Sequence, residues 1–257
     1  MRCIFKYFII CVIGLSFLAE GHGETLIIGN DQWPPYQGKE FKHGGIYTFI
    51  VTKAFELEGI QVDHHWIPWA RIMLDVKNGK YDGINGVAWN EERDKFLYFT
   101  DTIITTHRHF FHLKKNPFDW KTAEDLKGKK IGAKEGYYYG DFFSNAEKSK
   151  LIWVRRVTEH KQSFKMLLAG RIDLYIISKD IGQYLLRTLL TPKEAALITF
   201  HPKPIHSPKF SLGLSKKIER SPRIIKLFNK GLKRMKENGQ LDKLWKSFDQ
   251  GDFDPQR

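Results

Sequence analysis

Residues 77–88 read Lys77-Asn78-Gly79-Lys80-Tyr81-Asp82-Gly83-Ile84-Asn85-Gly86-Val87-Ala88. Asn78-Gly79 is a helix stop, and the apolar run that follows predicts a strand over Tyr81–Ala88 with two glycines inside it. Just upstream, Ile72, Met73 and Val76 predict a helix over Ala70–Lys77, and Gln61–Trp66 reads as the strand before it. Earlier still, Ile46, Phe49, Ile50, Ala54 and Leu57 recur at helical spacing until Gly59. Thr25–Gly29 is a short buried strand, followed by the loop Asn30-Asp31-Gln32-Trp33-Pro34-Pro35-Tyr36. Strand, helix, strand, helix, strand is the pattern of a mainly parallel sheet flanked by helices.

The pattern starts again downstream. Ile103–Leu113 predicts one long strand, residues 120–128 a loop with a short helix, and Lys130–Ala133 a strand leading into the Gly136–Gly140 loop. Phe164, Leu167 and Leu168 form a helical stripe that Gly170 ends, before a strand over Ile172–Ile177. Phe210–Leu214 is a further strand. Pro222 opens a helix stopped by Asn238-Gly239, and Leu241, Leu244, Trp245 and Phe248 mark a last amphipathic helix. Two such halves imply an α/β protein of two lobes with a ligand cleft between them, because ligands of open α/β sheets sit beyond the C-terminal strand ends. The expected division is residues 24–105 plus 206–257 for lobe 1 and 106–205 for lobe 2. The chain would cross near Ile104–Arg108 and again near Pro202–Lys209, and two crossings permit hinge closure.

Composition narrows the function classes. The chain has 257 residues, 42% of them hydrophobic and 14% aromatic, which suits a globular protein and excludes disorder. Arg2 and Lys6, an apolar run from Tyr7 to Leu18, and small residues at Gly21 and Gly23 predict a signal peptide over residues 1–23, cleaved before Glu24. The apolar run is shorter than the ~20 residues needed to span a bilayer. Cys3 and Cys11, the only cysteines, leave with it, so no disulfide, thiolate nucleophile or cysteine metal ligand is expected in the mature chain. Export without cysteine suits a bacterial periplasm. The formal charge of +13 is spread along the chain; the export signal argues against a nucleic-acid partner and for anionic ligands or a solvated surface. His107, His109 and His112 split between two faces of a strand, so no metal is expected. No cofactor motif or G-x-S-x-G elbow is present.

Four stretches together carry a family resemblance. They are Trp33-Pro34-Pro35-Tyr36; Lys77–Gly83; Asn90-Glu91-Glu92-Arg93 with Tyr98-Phe99-Thr100-Asp101; and Glu124-Asp125-Leu126-Lys127-Gly128-Lys129-Lys130-Ile131-Gly132. In this order they resemble the periplasmic solute-binding proteins of ABC transporters, in the polar amino-acid-binding branch, family 3. The resemblance covers nearly all of residues 24–250 and implies the type II two-lobe fold, a small-molecule ligand, an inner-membrane ABC permease as partner, a monomer, and no enzymatic activity.

It also implies where the ligand sits. Arg93 matches the arginine that binds the ligand carboxylate, a role its planar, permanently charged fork suits. From spacing alone, a surface arginine paired with Glu91 or Glu92 is the alternative. Gly86 and Ala88 fall where backbone groups meet the ligand, and Trp33 and Tyr36 where aromatic walls stand. Asn30 or Asp31 is placed to receive an ammonium, and Arg71 to add positive potential. In the second lobe, Lys134, Tyr137 and Tyr138 occupy the carboxylate-binding loop, with tyrosines replacing the usual small residues. Ser178 stands where the family often has an aspartate that grips the ligand ammonium. A serine supplies no charge, so the expected ligand is a carboxylate-bearing solute, an amino acid or a relative, whose amine is either absent or held by Asp31 or Asp180. The competing reading is a dehydratase-like periplasmic enzyme on the same fold, with Asp31, Glu135 or Asp180 as acid or base.

Overall fold

A computed structural model describes residues 24–135 and 137–255. The expected signal peptide therefore lies outside the described residues, as does Gly136.

The first sheet grows from β1 (Thr25–Asn30). Helix α1 (Ile46–Glu56) returns the chain to β2 (Gln61–Trp66), and α2 (Trp69–Lys77) returns it to β3 (Gly83–Ala88). β2 and β3 lie parallel to β1 on opposite sides, with Thr25 opposite Gln61 and Ile28 opposite Gly83. A short α3 (Glu91–Asp94) leads to β4 (Leu97–Phe99) and β5 (Ile104–Thr105).

The second sheet contains β6 (Arg108–Leu113) and β7 (Lys130–Lys134). It continues through α4 (Asp141–Lys148), β8 (Trp153–Val157), α5 (His160–Leu168), β9 (Leu174–Ser178), α6 (Lys179–Leu189), α7 (Pro192–Ala196) and β10 (Ile198–Phe200). Its strand order is β10-β6-β9-β7-β8. The chain then re-enters the first sheet as β11 (Lys209–Ser215) and ends in α8 (Ser221–Glu237) and α9 (Gln240–Asp249). The first sheet is ordered β2-β1-β3-β11-β4, with β5 also on β11.

Two details differ from the sequence reading. The expected single strand Ile103–Leu113 is two strands in two sheets. β5 pairs with β11, while β6 pairs with β9 and β10. Both pieces are extended and rich in β-branched or aromatic residues, so the run shows no break at Thr106-His107. Each sheet is also mixed. Strands joined by helical returns are parallel, and β6 and β11, the strands entered on changing sheet, are antiparallel to their neighbours.

The core explains the pattern of burial. β6 is buried throughout. Phe111 joins a large cluster with Phe164, Tyr175 and the α1–α8 interface, while Phe110 joins Trp120, Ile131 and Phe143 on the opposite face. A third cluster, Ile72, Val76, Ile84, Val87 and Leu97, covers the other side of the first sheet. Among the described residues, no helix is long and apolar enough to cross a membrane.

Helix α8 lies close on α1, with the Phe55 and Phe228 rings 5.1 Å apart. A Cβ at Gly231 would stand 2.0 Å from the Ala54 carbonyl oxygen. Gly231→Ala therefore sets a helix-propensity gain of about 1 kcal/mol against a backbone clash, for which overpacking costs about 1–3 kcal/mol or more. The clash partner is main chain and cannot rotate away, so the variant is expected to be less stable in urea unfolding. An unchanged or higher midpoint would contradict this packing.

Candidate functional site

The loop after β1 is closed on itself: the Trp33 N–H donates to the Gln37 carbonyl at 2.9 Å, and the Gln37 N–H donates back at 3.1 Å. The Trp33 ring lies 4.7 Å from Tyr36, 5.9 Å from Tyr47 and 4.5 Å from Phe210. Gly86 makes room for it. Its φ is +67°, and a Cβ there would come 3.1 Å from the indole. Trp33 is thus a braced, half-buried ring.

Tyr36 is not a wall. It is fully buried, and its hydroxyl donates to Asp180 at 2.6 Å, tying the first sheet's loop to α6. Burial, then Asp180, raises its pKa, so it stays a donor. The Asp31 carboxylate accepts the Gln32 N–H at 2.8 Å. Asn30 is buried and committed, its Oδ1 receiving Asn85 Nδ2 at 2.6 Å and its Nδ2 meeting His64 Nδ1 at 3.0 Å.

Arg93 follows β3. The Asn90 side chain caps α3 by accepting the Arg93 N–H at 2.8 Å. Nη1 donates to the Ala88 carbonyl at 2.7 Å, and the guanidinium lies 5.3 Å from the Trp69 ring centre. The group is half-buried, and that desolvation alone lowers its pKa. No carboxylate among the described residues pairs with it. Glu92, the alternative partner, is bound to Lys95 at 2.6 Å. Arg71 behaves otherwise: it is exposed and held by Asp75 at 2.9 Å, one helical turn away.

In the second sheet, Lys134 Nζ lies 5.1 Å from the Tyr137 ring centre. Tyr139 is buried and its hydroxyl accepts the Lys134 N–H at 2.7 Å. Tyr138 is exposed and donates to Asp141 at 2.6 Å. Ser178 is buried, its hydroxyl 3.5 Å from that of Thr106. Beneath the tyrosines is Arg108, which sequence reading treated only as part of a crossing. It is buried and donates to the Tyr138 carbonyl. Its guanidinium lies 4.8 Å from the Tyr139 ring centre and 5.8 Å from that of Tyr137. Burial lowers its pKa, and no carboxylate among the described residues pairs with it.

A cavity of about 500 Å³ opens between these surfaces. Gln32, Trp33 and Pro34 line it from the first sheet's loop. Lys134, Tyr137, residues 159–162 and Lys165 line it from the second, with Ile181, Leu185 and Leu189 of α6. The α5 and α6 residues were not singled out in the sequence, where Lys161 and Lys165 read as an ordinary polar helix face. Arg93 is not in that lining; it stands at the end of β3, two residues of which, Gly86 and Ala88, meet Trp33 and pair with Phe210 respectively. A second cavity of about 440 Å³ is lined by His107, His109, Lys179, Asp180, Phe200, Pro202 and Pro204. No group of three or more metal-ligating side chains occurs among the described residues.

Comparison with known proteins bears on the family and the fold. The family described as "Bacterial extracellular solute-binding proteins, family 3" matches residues 26–250. A Campylobacter jejuni protein named as a probable histidine-binding protein is 26% identical over 238 residues, covering 88% of this chain and 85% of that protein. The lysine/arginine/ornithine-binding periplasmic protein of Escherichia coli is 23% identical over 250 residues, covering 92% and 93%. Among solved structures, a histidine kinase sensor domain with similarity to periplasmic binding proteins matches with a TM-score of 0.70 at 18% identity, covering 87% of this chain and 95% of that one. The fold is the two-lobe periplasmic-binding-protein fold.

Two histidines near the site set a pH response. His64 Nδ1 accepts from Asn30, and Nε2 is 2.9 Å from Thr52 Oγ1, whose hydroxyl donates to the Thr48 carbonyl at 3.0 Å. Only the neutral ring satisfies this chain. Burial pushes the pKa of His64 down to about 4, and burial with Lys134 does the same to His160. An unfolded histidine titrates near 6.5. Both contributions are therefore whole above pH ~6.5 and fade as pH falls towards about 4, because the unfolded chain takes up the protons first. Thermal midpoints are expected to fall over that window, and His64→Gln to flatten part of the fall. A midpoint flat from pH 7 to 4 would contradict neutral burial.

Proposed function

The chain belongs to family 3 of the bacterial extracellular solute-binding proteins, and from that premise we propose that it captures a small carboxylate-bearing solute, an amino acid or close relative, in the periplasm and hands it to an inner-membrane ABC permease. The two lobes, residues 24–105 with 206–257 and residues 106–205, would close on the solute as units.

Arg93 is the observation that carries this reading. A half-buried guanidinium has given up much of its hydration, yet the described residues offer it one carbonyl and one aromatic face and no carboxylate. Five N–H donors belong to an arginine, and a carboxylate takes two of them in parallel. Trp33, Lys134 and Tyr137, which line the cavity, supply an apolar face and further positive charge. Ser178 has turned towards Thr106 and offers an ammonium no charge. The relatives named above are binding proteins. Of the three carboxylates an enzyme could use, Asp31, Glu135 and Asp180, two are engaged, Asp31 by a main-chain N–H and Asp180 by Tyr36.

Calorimetric titration with an amino-acid panel tests this. Truncating one partner of a buried, hydrogen-bonded charge pair costs ~3 kcal/mol or more, so Arg93→Ala should weaken binding by roughly a hundredfold or more. Arg93→Lys should restore only part, because an ammonium lacks the fork. A folded Arg93→Ala protein that binds within about threefold of wild type would remove Arg93, and with it this reading.

A further inference from the structure

The cavity lining is charged unevenly. Lys134, Lys161 and Lys165 supply three ammonium groups, and Glu159 is the one carboxylate among the described residues that line it. His160, between them, is a neutral ring at pH 7, since burial and then Lys134 push its pKa down to about 4. None of the three lysines is in an ion pair among the described residues. Glu194 on α7 is the acid whose carboxyl is held low in part by Lys165 and Lys161. That carboxylate is already bound by the Thr191 N–H at 2.9 Å and by its hydroxyl at 2.8 Å.

A second observation adds to this. The Tyr137 ring, part of the cavity wall, carries Lys134 Nζ at 5.1 Å and the buried Arg108 guanidinium at 5.8 Å. A buried cation without a carboxylate raises the positive potential of the wall in front of it. A solute with a cationic side chain would meet like charge here, whereas a second anionic group would meet three ammonium groups, with Arg108 behind the Tyr137 ring.

We infer that the α5 side of the cavity, Lys161 and Lys165 with Lys134, is a subsite for a second anionic group, so that the solute carries two carboxylates: an acidic amino acid or a small dicarboxylate. This rests on the reading of Arg93 as the holder of the first carboxylate, and it departs from the cationic amino acids that some of the relatives are named for.

The test is titration calorimetry at low salt with L-glutamate, succinate, L-glutamine and L-arginine. Wild type should bind at least one of the two dicarboxylates, prefer glutamate to its neutral isostere glutamine by about tenfold or more, and bind arginine weakest. Lys161→Ala/Lys165→Ala, two exposed changes that leave the fold intact, should weaken glutamate by roughly tenfold and glutamine little. Lys161→Glu/Lys165→Glu should move the preference towards arginine. Raising the salt should erode the glutamate advantage. Arginine binding as tightly as glutamate, no binding of either dicarboxylate, or a glutamate-to-glutamine ratio unmoved by the lysine changes would each overturn the inference. Glutamine binding that is lost in Arg93→Ala but indifferent to the lysines would leave the carboxylate-binding function standing and remove this subsite alone.

Discussion

The structure depends on one return of the chain: β11 re-enters the first sheet after the whole second sheet has been traversed. It lies antiparallel to β3, β4 and β5, and without it those strands have no common neighbour. Its seating is fixed by groups far away in sequence. The Leu212 N–H donates to Thr100 Oγ1 at 3.1 Å, and Ser215 Oγ donates to the Val76 carbonyl at 2.6 Å. The same strand builds the site. Phe210 pairs with Ala88, whose carbonyl holds Arg93, and its ring packs on Trp33. A first lobe finished only by a distant segment makes the two passages between sheets unavoidable, and a cleft between the sheets follows from them.

Electrostatics then separates the outside of the molecule from the cleft. Several carboxylates away from the cleft are paired. Glu58 meets Lys230 and Arg234 at 2.7 and 3.0 Å, Asp82 meets Arg220 at 2.6 Å, and Asp75 meets Arg71 and Lys80. Around the cleft the order is reversed. Arg93, Arg108, Lys134, Lys161 and Lys165 lack carboxylate partners among the described residues, and aromatic faces stand in for three of them. A carboxylate ~4 Å from such a charge gains about 4 kcal/mol at an effective dielectric near 20, against about 1 kcal/mol in bulk water. Among these cations, burial lowers the dielectric around Arg93 and Arg108.

Much of this was legible in the sequence. Helices α1, α2, α8 and α9 show as clean apolar periods with Asn-Gly or Gly stops, and β1 and β3 as short apolar runs, because each is set by its own burial; β2, a polar and half-exposed stretch, is placed by its position between α1 and α2. Elements set by their neighbours were not. Helix α6 carries Gly182 in mid-helix, which reads as a breaker; the position must be glycine because a Cβ would stand 2.3 Å from the Phe111 ring. β8 is an edge strand with Arg155 and Arg156 exposed, and β10 has three residues. As candidates, Arg93, Trp33, Lys134 and Tyr137 could be named from the sequence because they follow strands in recognisable motifs. Tyr36 looked like a wall, and only the fold reveals that Asp180, 144 positions away, receives its hydroxyl. Arg108 and the α5 lysines carry no local signal, since their meaning comes from which carboxylates are absent around them.

The measurement that tests the account most directly is mass spectrometry of the small molecule released by mild denaturation from protein purified without added ligand. The account predicts a carboxylate-bearing solute with a second acidic group, released in near-stoichiometric amount. A released solute without a carboxylate, or a cationic amino acid such as arginine or lysine, would contradict it.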